Sequence, residues 1–182
     1  MTSKPREEEE IRAEADLESI RGWFNYNDHV RKKYLKLLES LPNERLTEDR
    51  GASFPTILDI AEHILWAYRL WLKEMYHGIP LDEGDSFGRK CASVEELKTD
   101  SEKMNSYILS FVQRLQPQDL GRWIERPRNG EPFRFKVKNM LWHLIEEELQ
   151  HRGEINALLW QLDIDPPITG WGTWIRETES HA

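Results

Sequence analysis

The 182-residue sequence has one cysteine and no apolar run of about 18 residues, the length that a membrane-spanning helix needs. A single cysteine excludes an internal disulfide framework and is typical of a reducing compartment. The N-terminal segment is charged and lacks the apolar region of a secretory signal. We therefore expect a soluble, cytoplasmic protein with no membrane partner.

Basic side chains are outnumbered by acidic ones. The chain has 25 lysines and arginines and 33 aspartates and glutamates, which gives a formal net charge of -8. Nucleic-acid-binding proteins generally present a basic patch to the phosphates, so we expect no nucleic-acid partner. The sequence also has no glycine-rich phosphate loop, no serine nucleophile elbow and no cysteine pair with zinc-finger spacing. These absences argue against nucleotide-binding, serine-hydrolase and zinc-finger classes.

Apolar residues make up only 38% of the chain and the mean hydropathy is -0.72, so a core can form only if they are placed periodically. Eight tryptophans help, because each aromatic side chain can bury about 150–250 Å². The length suits one domain of about 100–200 residues. We divide the chain into a charged leader (residues 1–16), one domain (17–175) and a tail (176–182).

The apolar residues recur at steps of three and four in four segments, as amphipathic helices require. These segments cover residues 17–42, 53–77, 93–117 and 137–165. Between the last two, Asn129-Gly130 is a strong signal for a β-hairpin turn. We predict an all-α fold, a four-helix bundle with a short β-hairpin before the last helix. The interhelical loops exceed the roughly 2–8 residues of plain up-and-down bundles, which indicates a crossover connection.

The predicted fourth helix carries the clearest chemical pattern. His143, Glu147 and His151 are spaced i, i+4 and i+8, so their side chains follow one stripe at the border of the apolar face. Two such residues can chelate a metal ion, and a third ligand from another helix would complete the set. His63, in a row beside the apolar face of the second helix, is the obvious candidate.

Neighbouring residues on that helix leave alternatives open. A run such as Glu146–Glu148 is usually a solvated face, and i, i+4 pairs of this kind also stabilise helices without a metal. Arg152 is either an orienting group at the site or a surface ion-pair partner of Glu148. Gly153 costs about 1 kcal/mol in a helix interior compared with alanine, which indicates close approach of a neighbouring helix.

Three segments together resemble the DinB/YfiT-like superfamily. They are Trp23-Phe24-Asn25-Tyr26-Asn27-Asp28, Ala61-Glu62-His63-Ile64, and the stretch from His143 through Glu147 to His151-Arg152-Gly153-Glu154-Ile155. The closing Asp163-Ile164-Asp165-Pro166-Pro167 is also similar to the usual end of that family. The resemblance covers about residues 17–175, and the combined order of short motifs is what makes it specific.

The resemblance implies a four-helix bundle with a crossover connection and a divalent metal, such as zinc, nickel, iron or manganese, held by three histidines. By position the ligands are His63, Glu147 and His151, so a glutamate stands where the family has its middle histidine. Two histidines and a carboxylate form a recurrent open site for zinc or non-haem iron. The alternative is that metal binding has weakened or been lost. His143, one turn earlier, is a fourth ligand, a donor behind the ligands or, as we favour, a buried hydrogen-bonded histidine.

Similar proteins include thiol-dependent transferases and isomerases, so the resemblance implies a small-molecule substrate and a low-molecular-weight thiol. If the chain is an enzyme, the reaction is a thiol-coupled transfer or a hydrolysis, with Asn27, Tyr68 and Arg152 as candidate orienting groups. The alternative is a non-catalytic, stress-associated bundle that binds a metal or small ligand. We expect a homodimer; Trp171 and Trp174 either cover the open end of the bundle or meet the second subunit.

Overall fold

The computed structural model describes residues 4–85, 87 and 91–179, so the ends of the predicted leader and tail lie outside the described residues. The α-helices are α1 (Lys4–Leu38), α2 (Asn43–Leu46), α3 (Ile57–Tyr68), α4 (Val94–Arg114), α5 (Val137–Gln161) and α6 (Trp171–Glu179). The strands are β1 (Trp123–Arg128) and β2 (Glu131–Lys136). Short 3-10 turns cover Glu83–Asp85 and Pro117–Gly121. The all-α prediction is confirmed.

The four long helices form a bundle whose connections cross between corners. Helix α1 packs mainly against α4 and α5, and α3 packs mainly against the same two helices. The consecutive helices α1 and α3 therefore occupy opposite corners, and so do α4 and α5. Each of these two connections crosses the end of the bundle, which confirms the predicted crossover and explains the long loops.

The core lies between these helices and consists of the apolar stripes that the sequence pattern predicted. Ile20, Phe24, Leu65, Leu144 and Leu159 are each at most 1% exposed. Burying a leucine or phenylalanine side chain contributes about 1.5–3 kcal/mol, so concentrating few apolar residues on these stripes is sufficient for a core.

The helix that carries His63 departs from the predicted single helix of residues 53–77. It begins after Thr56, whose side chain accepts a hydrogen bond from the Asp59 backbone N–H at 3.0 Å, so Thr56 and not Ser53 is the cap. From Arg69 to Tyr76 the backbone is π-helical. Such segments are rare and often occur near functional sites.

The predicted hairpin is confirmed. Strands β1 and β2 pair antiparallel, with Trp123 opposite Lys136 and Arg128 opposite Glu131. Asn129 and Gly130 at the turn have φ of 53° and 82°, the left-handed region that a two-residue hairpin turn requires. Ile124 and Phe135 are buried against the bundle, so the hairpin is fixed to the π-helical segment and α5.

The segment that carries Trp171 and Trp174 forms α6 and packs against α1. Trp171 stacks on Trp23 with ring centroids 4.2 Å apart, and its edge meets Tyr26. Trp174 also lies against Tyr26. These contacts within the chain are those that the covering role requires.

The structure corrects the prediction for Gly153. A Cβ added there would meet no described atom within 4 Å, and the residue is exposed, so no described neighbouring helix approaches it. Trp142, Leu149 and Trp160, on the same stripe of α5, are also exposed.

Among the described residues, no helix has the length and apolar character that crossing a membrane requires.

Candidate metal centre

Helices α3 and α5 bring the three predicted ligands together. Glu147 Oε2 lies 3.5 Å from His63 Nε2 and 3.2 Å from His151 Nε2. One donor atom from each of the three residues lies within 4.8 Å of the others. Glu147 Oε2 is buried and accepts no hydrogen bond of good geometry, although two imidazoles surround it. Three donors that converge without bonding one another well fit a shared cation.

The side chain of His63 is largely buried, and its neighbours are aromatic. Phe54 stacks on one side of the imidazole with ring centroids 4.1 Å apart, and Trp66 stacks at 5.3 Å. Burial and the neighbouring His151 lower the pKa of His63, against the opposing effect of Glu147. The neutral imidazole, which is the form that ligates a metal, is therefore favoured.

Behind His151 lies a pair of residues that the sequence argument missed. Glu154 Oε2 is 3.2 Å from His151 Nδ1, and it also accepts a hydrogen bond from the Ser53 hydroxyl. A carboxylate on Nδ1 fixes the ring so that Nε2 faces the metal position, an arrangement that recurs behind metal-bound histidines. The i, i+3 spacing of His151 and Glu154 was a visible signal, whereas Ser53 comes from a distant loop.

His143 lies on the other side of Glu147. Its Nε2 is 3.5 Å from Glu147 Oε1 and its Nδ1 is 3.7 Å from Glu146 Oε2, while its ring packs against the edge of Trp71. It is not part of the His63, Glu147 and His151 group, but with Glu146 and Glu147 it forms a second group of possible ligands that shares the Glu147 carboxylate. This position matches a group behind the ligands better than a fourth ligand.

Two of the candidate orienting residues, Asn27 and Tyr68, lie in the bundle core and their contacts do not reach the three ligands. Tyr68 donates a hydrogen bond to Glu148 Oε2 at 2.7 Å, and Asn27 is fully buried. Arg31 donates to both carboxylate oxygens of Glu148, from Nε at 3.2 Å and from Nη2 at 2.6 Å. Burial and the charge of Glu148 raise the pKa of Tyr68 far above its ordinary value.

Arg152 and Glu148 do not form the surface ion pair that the sequence left open as one alternative. Glu148 is 1% exposed, so it does not belong to a solvated acidic face, and its ion-pair partner is Arg31 on α1. Arg152 is 6% exposed and lies over the ring of Tyr26, with 5.1 Å from its Cζ to the ring centroid. It packs on the face of α5 that turns toward α1, away from the three ligands.

The chain is similar to known proteins in both sequence and fold. Residues 17–179 match the family model described as the DinB family. The chain is 22% identical over 163 residues to Protein DinB of Bacillus subtilis (strain 168), an alignment that covers 86% of this chain and 94% of that protein. A crystal structure of a DinB-like protein from Bacillus cereus ATCC 10987 has the same fold, with a TM-score of 0.64 at 20% identity over 82% of this chain and 95% of that one. The chain belongs to the DinB family.

Proposed function

We propose that this DinB-family protein binds one divalent transition-metal ion through His63, Glu147 and His151 and acts with it on a small molecule. The observation that carries the proposal is the convergence of three donor atoms from two helices within 4.8 Å. Two imidazoles and a carboxylate suit zinc, iron, nickel or manganese better than calcium or magnesium, which prefer oxygen ligands.

The reaction class that fits this donor set is thiol-coupled transfer or hydrolysis. A metal with three protein ligands keeps an open position where it lowers the pKa of a bound water or thiol. The surrounding side chains contribute in two further ways. Glu154 orients His151, and Phe54 and Trp66 exclude water from His63. A small-molecule substrate, a low-molecular-weight thiol, a cytoplasmic location and a homodimer belong to the same proposal.

A second function is a non-catalytic bundle that binds a metal or small ligand. It is favoured by Tyr68, whose hydroxyl donates to Glu148 in the core and not toward the three ligands, and by Asn27, which is fully buried. The two functions share the metal site. They differ in whether the bound metal keeps a position that exchanges with added thiol, which metal-to-thiolate absorption of the cobalt-substituted protein would reveal.

The decisive first measurement is the metal content of protein purified without metal-affinity steps. We expect about one metal per chain in the wild type and a loss of most of it in Glu147→Ala, because one of three ligands is removed. Glu102→Ala is the matched control, since this glutamate of α4 is exposed and belongs to neither group of possible metal ligands among the described residues. Absence of metal from the wild type, even after incubation with each of the four metals, would refute the proposal.

Glu154 offers a finer test of the site. We expect Glu154→Gln to lower metal affinity about 10–100-fold, since losing a carboxylate behind a histidine ligand typically has this effect. Competition with a chromophoric chelator measures the change. Glu179→Gln, an exposed carboxylate on α6, should leave the affinity unaltered. An unchanged affinity in Glu154→Gln would show that Glu154 does not orient the ligand.

A further inference from the structure

A groove beside the candidate metal centre has a charge opposite to that of the protein as a whole. It has a volume of about 620 Å³ and lies between the hairpin, the π-helical segment and α5, with His143 and Glu147 in its lining. The connecting segment of residues 122–136 holds five arginines and lysines but only two glutamates. Two of these arginines, Arg128 and Arg134, line the groove.

Both arginines lie over aromatic rings. The Cζ of Arg128 is 5.3 Å from the ring centroid of Trp71 and 5.8 Å from that of Phe133, and the Cζ of Arg134 is 4.3 Å from that of Trp123. A guanidinium that stacks on a ring uses its face, so the N–H donors at its edge stay available to an anion.

The two arginines lie on opposite faces of the hairpin, because Arg128 shares the face of Ile124 and Phe135, whereas Arg134 shares the face of Trp123 and Glu125. Of the two, Arg128 therefore faces the bundle, and within the described residues no ion pair of 4.0 Å or less joins it to an acid. In a chain of net charge -8, an unpaired cation beside a groove is the feature that an anionic ligand would recognise.

The aromatic residues of the groove connect Arg128 to the metal centre. Arg128 lies against Trp71, Trp71 lies against His143 with ring centroids 4.9 Å apart, and His143 Nε2 is 3.5 Å from Glu147 Oε1. A ligand that extends from Arg128 toward Glu147 therefore passes along the rings of Trp71 and Phe133. Planar aromatic groups fit such a wall, because offset and edge contacts with rings are favourable.

We propose that this groove binds a small aromatic carboxylate, with the carboxylate at Arg128 and the ring along Trp71 and Phe133. The substrate class rests on the proposed function, since Glu147 belongs both to the groove lining and to the candidate metal centre. Anion binding itself needs no metal. Bidentate arginine–carboxylate contacts supply the selectivity for an anion over a neutral ring of the same size.

The test uses 2-naphthoate and its neutral counterpart 2-naphthol as probes of the full chain, dialysed free of metal and titrated by calorimetry. We expect the wild type to bind 2-naphthoate at least about tenfold more tightly than 2-naphthol, which corresponds to the strength of one charge-assisted hydrogen bond. Arg128→Gln should remove most of this preference and leave binding of 2-naphthol nearly unchanged.

The matched control is Arg122→Gln. Arg122 also lies over an aromatic ring, that of Tyr76, with 4.6 Å from its Cζ to the ring centroid, but it is not part of the groove lining. It should keep the wild-type preference. Equal binding of the two probes by the wild type, or an equal loss in Arg122→Gln, would overturn the proposal.

Ionic strength provides a readout that needs no variant, should the arginine changes impair folding. Salt from about 0.02 M to about 0.5 M should weaken 2-naphthoate binding several-fold and leave 2-naphthol unaffected, because screening acts on the charged contact. An insensitive 2-naphthoate affinity would contradict the proposal. Since these titrations use metal-free protein, a failure of the metal site leaves their outcome intact, and the reverse also holds.

Discussion

Replacing Glu148 by glutamine is expected to lower the free energy of unfolding by about 3–5 kcal/mol, because removing one partner of a buried ion pair leaves the other charge uncompensated. Arg31 would keep its charge while 9% exposed, beside the ring of Tyr68. Tyr68 would lose a charged acceptor for its hydroxyl. Domains of this size are stable by about 5–15 kcal/mol, so the loss is a large fraction of the total.

Chemical denaturation with urea, followed by circular dichroism, measures the effect. The matched control is Glu146→Gln, two residues earlier on α5 and exposed, which we expect to change stability by less than about 0.5 kcal/mol. The double variant Arg31→Met with Glu148→Met should be less destabilised than Glu148→Gln, because both charges are removed together. Equal stability of Glu148→Gln and Glu146→Gln would show that the buried pair is not formed.

Bound metal is expected to stabilise the fold by about 4 kcal/mol when free metal is 1,000 times its dissociation constant, because it binds the native state and not the unfolded chain. The wild type should therefore unfold at a higher temperature with metal and return to the metal-free value after chelation. His151→Asn should lose this response, since Nε2 of that ring is one of the three donors.

Differential scanning calorimetry with and without chelator measures this linkage. His77→Gln is the control histidine, because His77 packs against Tyr76 and Phe111 and takes no part in the site. It should keep the whole metal-dependent shift. A shift that persists undiminished in His151→Asn would place the metal elsewhere and contradict the ligand set.

Local sequence signals predicted the local elements well. The three- and four-residue spacing of apolar residues identified each long helix, and Asn129-Gly130 identified the hairpin turn. Glu147 and His151 are neighbours on one helix through their i, i+4 spacing alone. The start of α3 was misplaced because Ser53 and Thr56 are both competent caps, and only the chain path decides which one meets the helix.

Contacts between segments that are distant in sequence were predicted less well from the sequence. Glu148 is one residue from Glu147 and carries the same side chain, yet one faces the two imidazoles and the other is buried against Arg31, 117 residues away in sequence. Gly153 was misjudged for the same reason, since a helix-destabilising residue does not disclose whether another helix approaches it. Burial and ion pairing depend on which helix faces meet, and composition does not contain that information.

The sequence by itself determined the helices and the hairpin. Its single cysteine, its excess of acidic residues and its motifs also determined the classes that it excludes and the family to which the chain belongs. Only the tertiary structure decided that His63 meets Glu147 and His151, that Ser53 and Glu154 support His151, and that the hairpin places Arg128 in the groove that Glu147 also lines. The physical reason is range: helix and turn signals act over a few residues, whereas these sites form where crossing connections bring remote helix faces together.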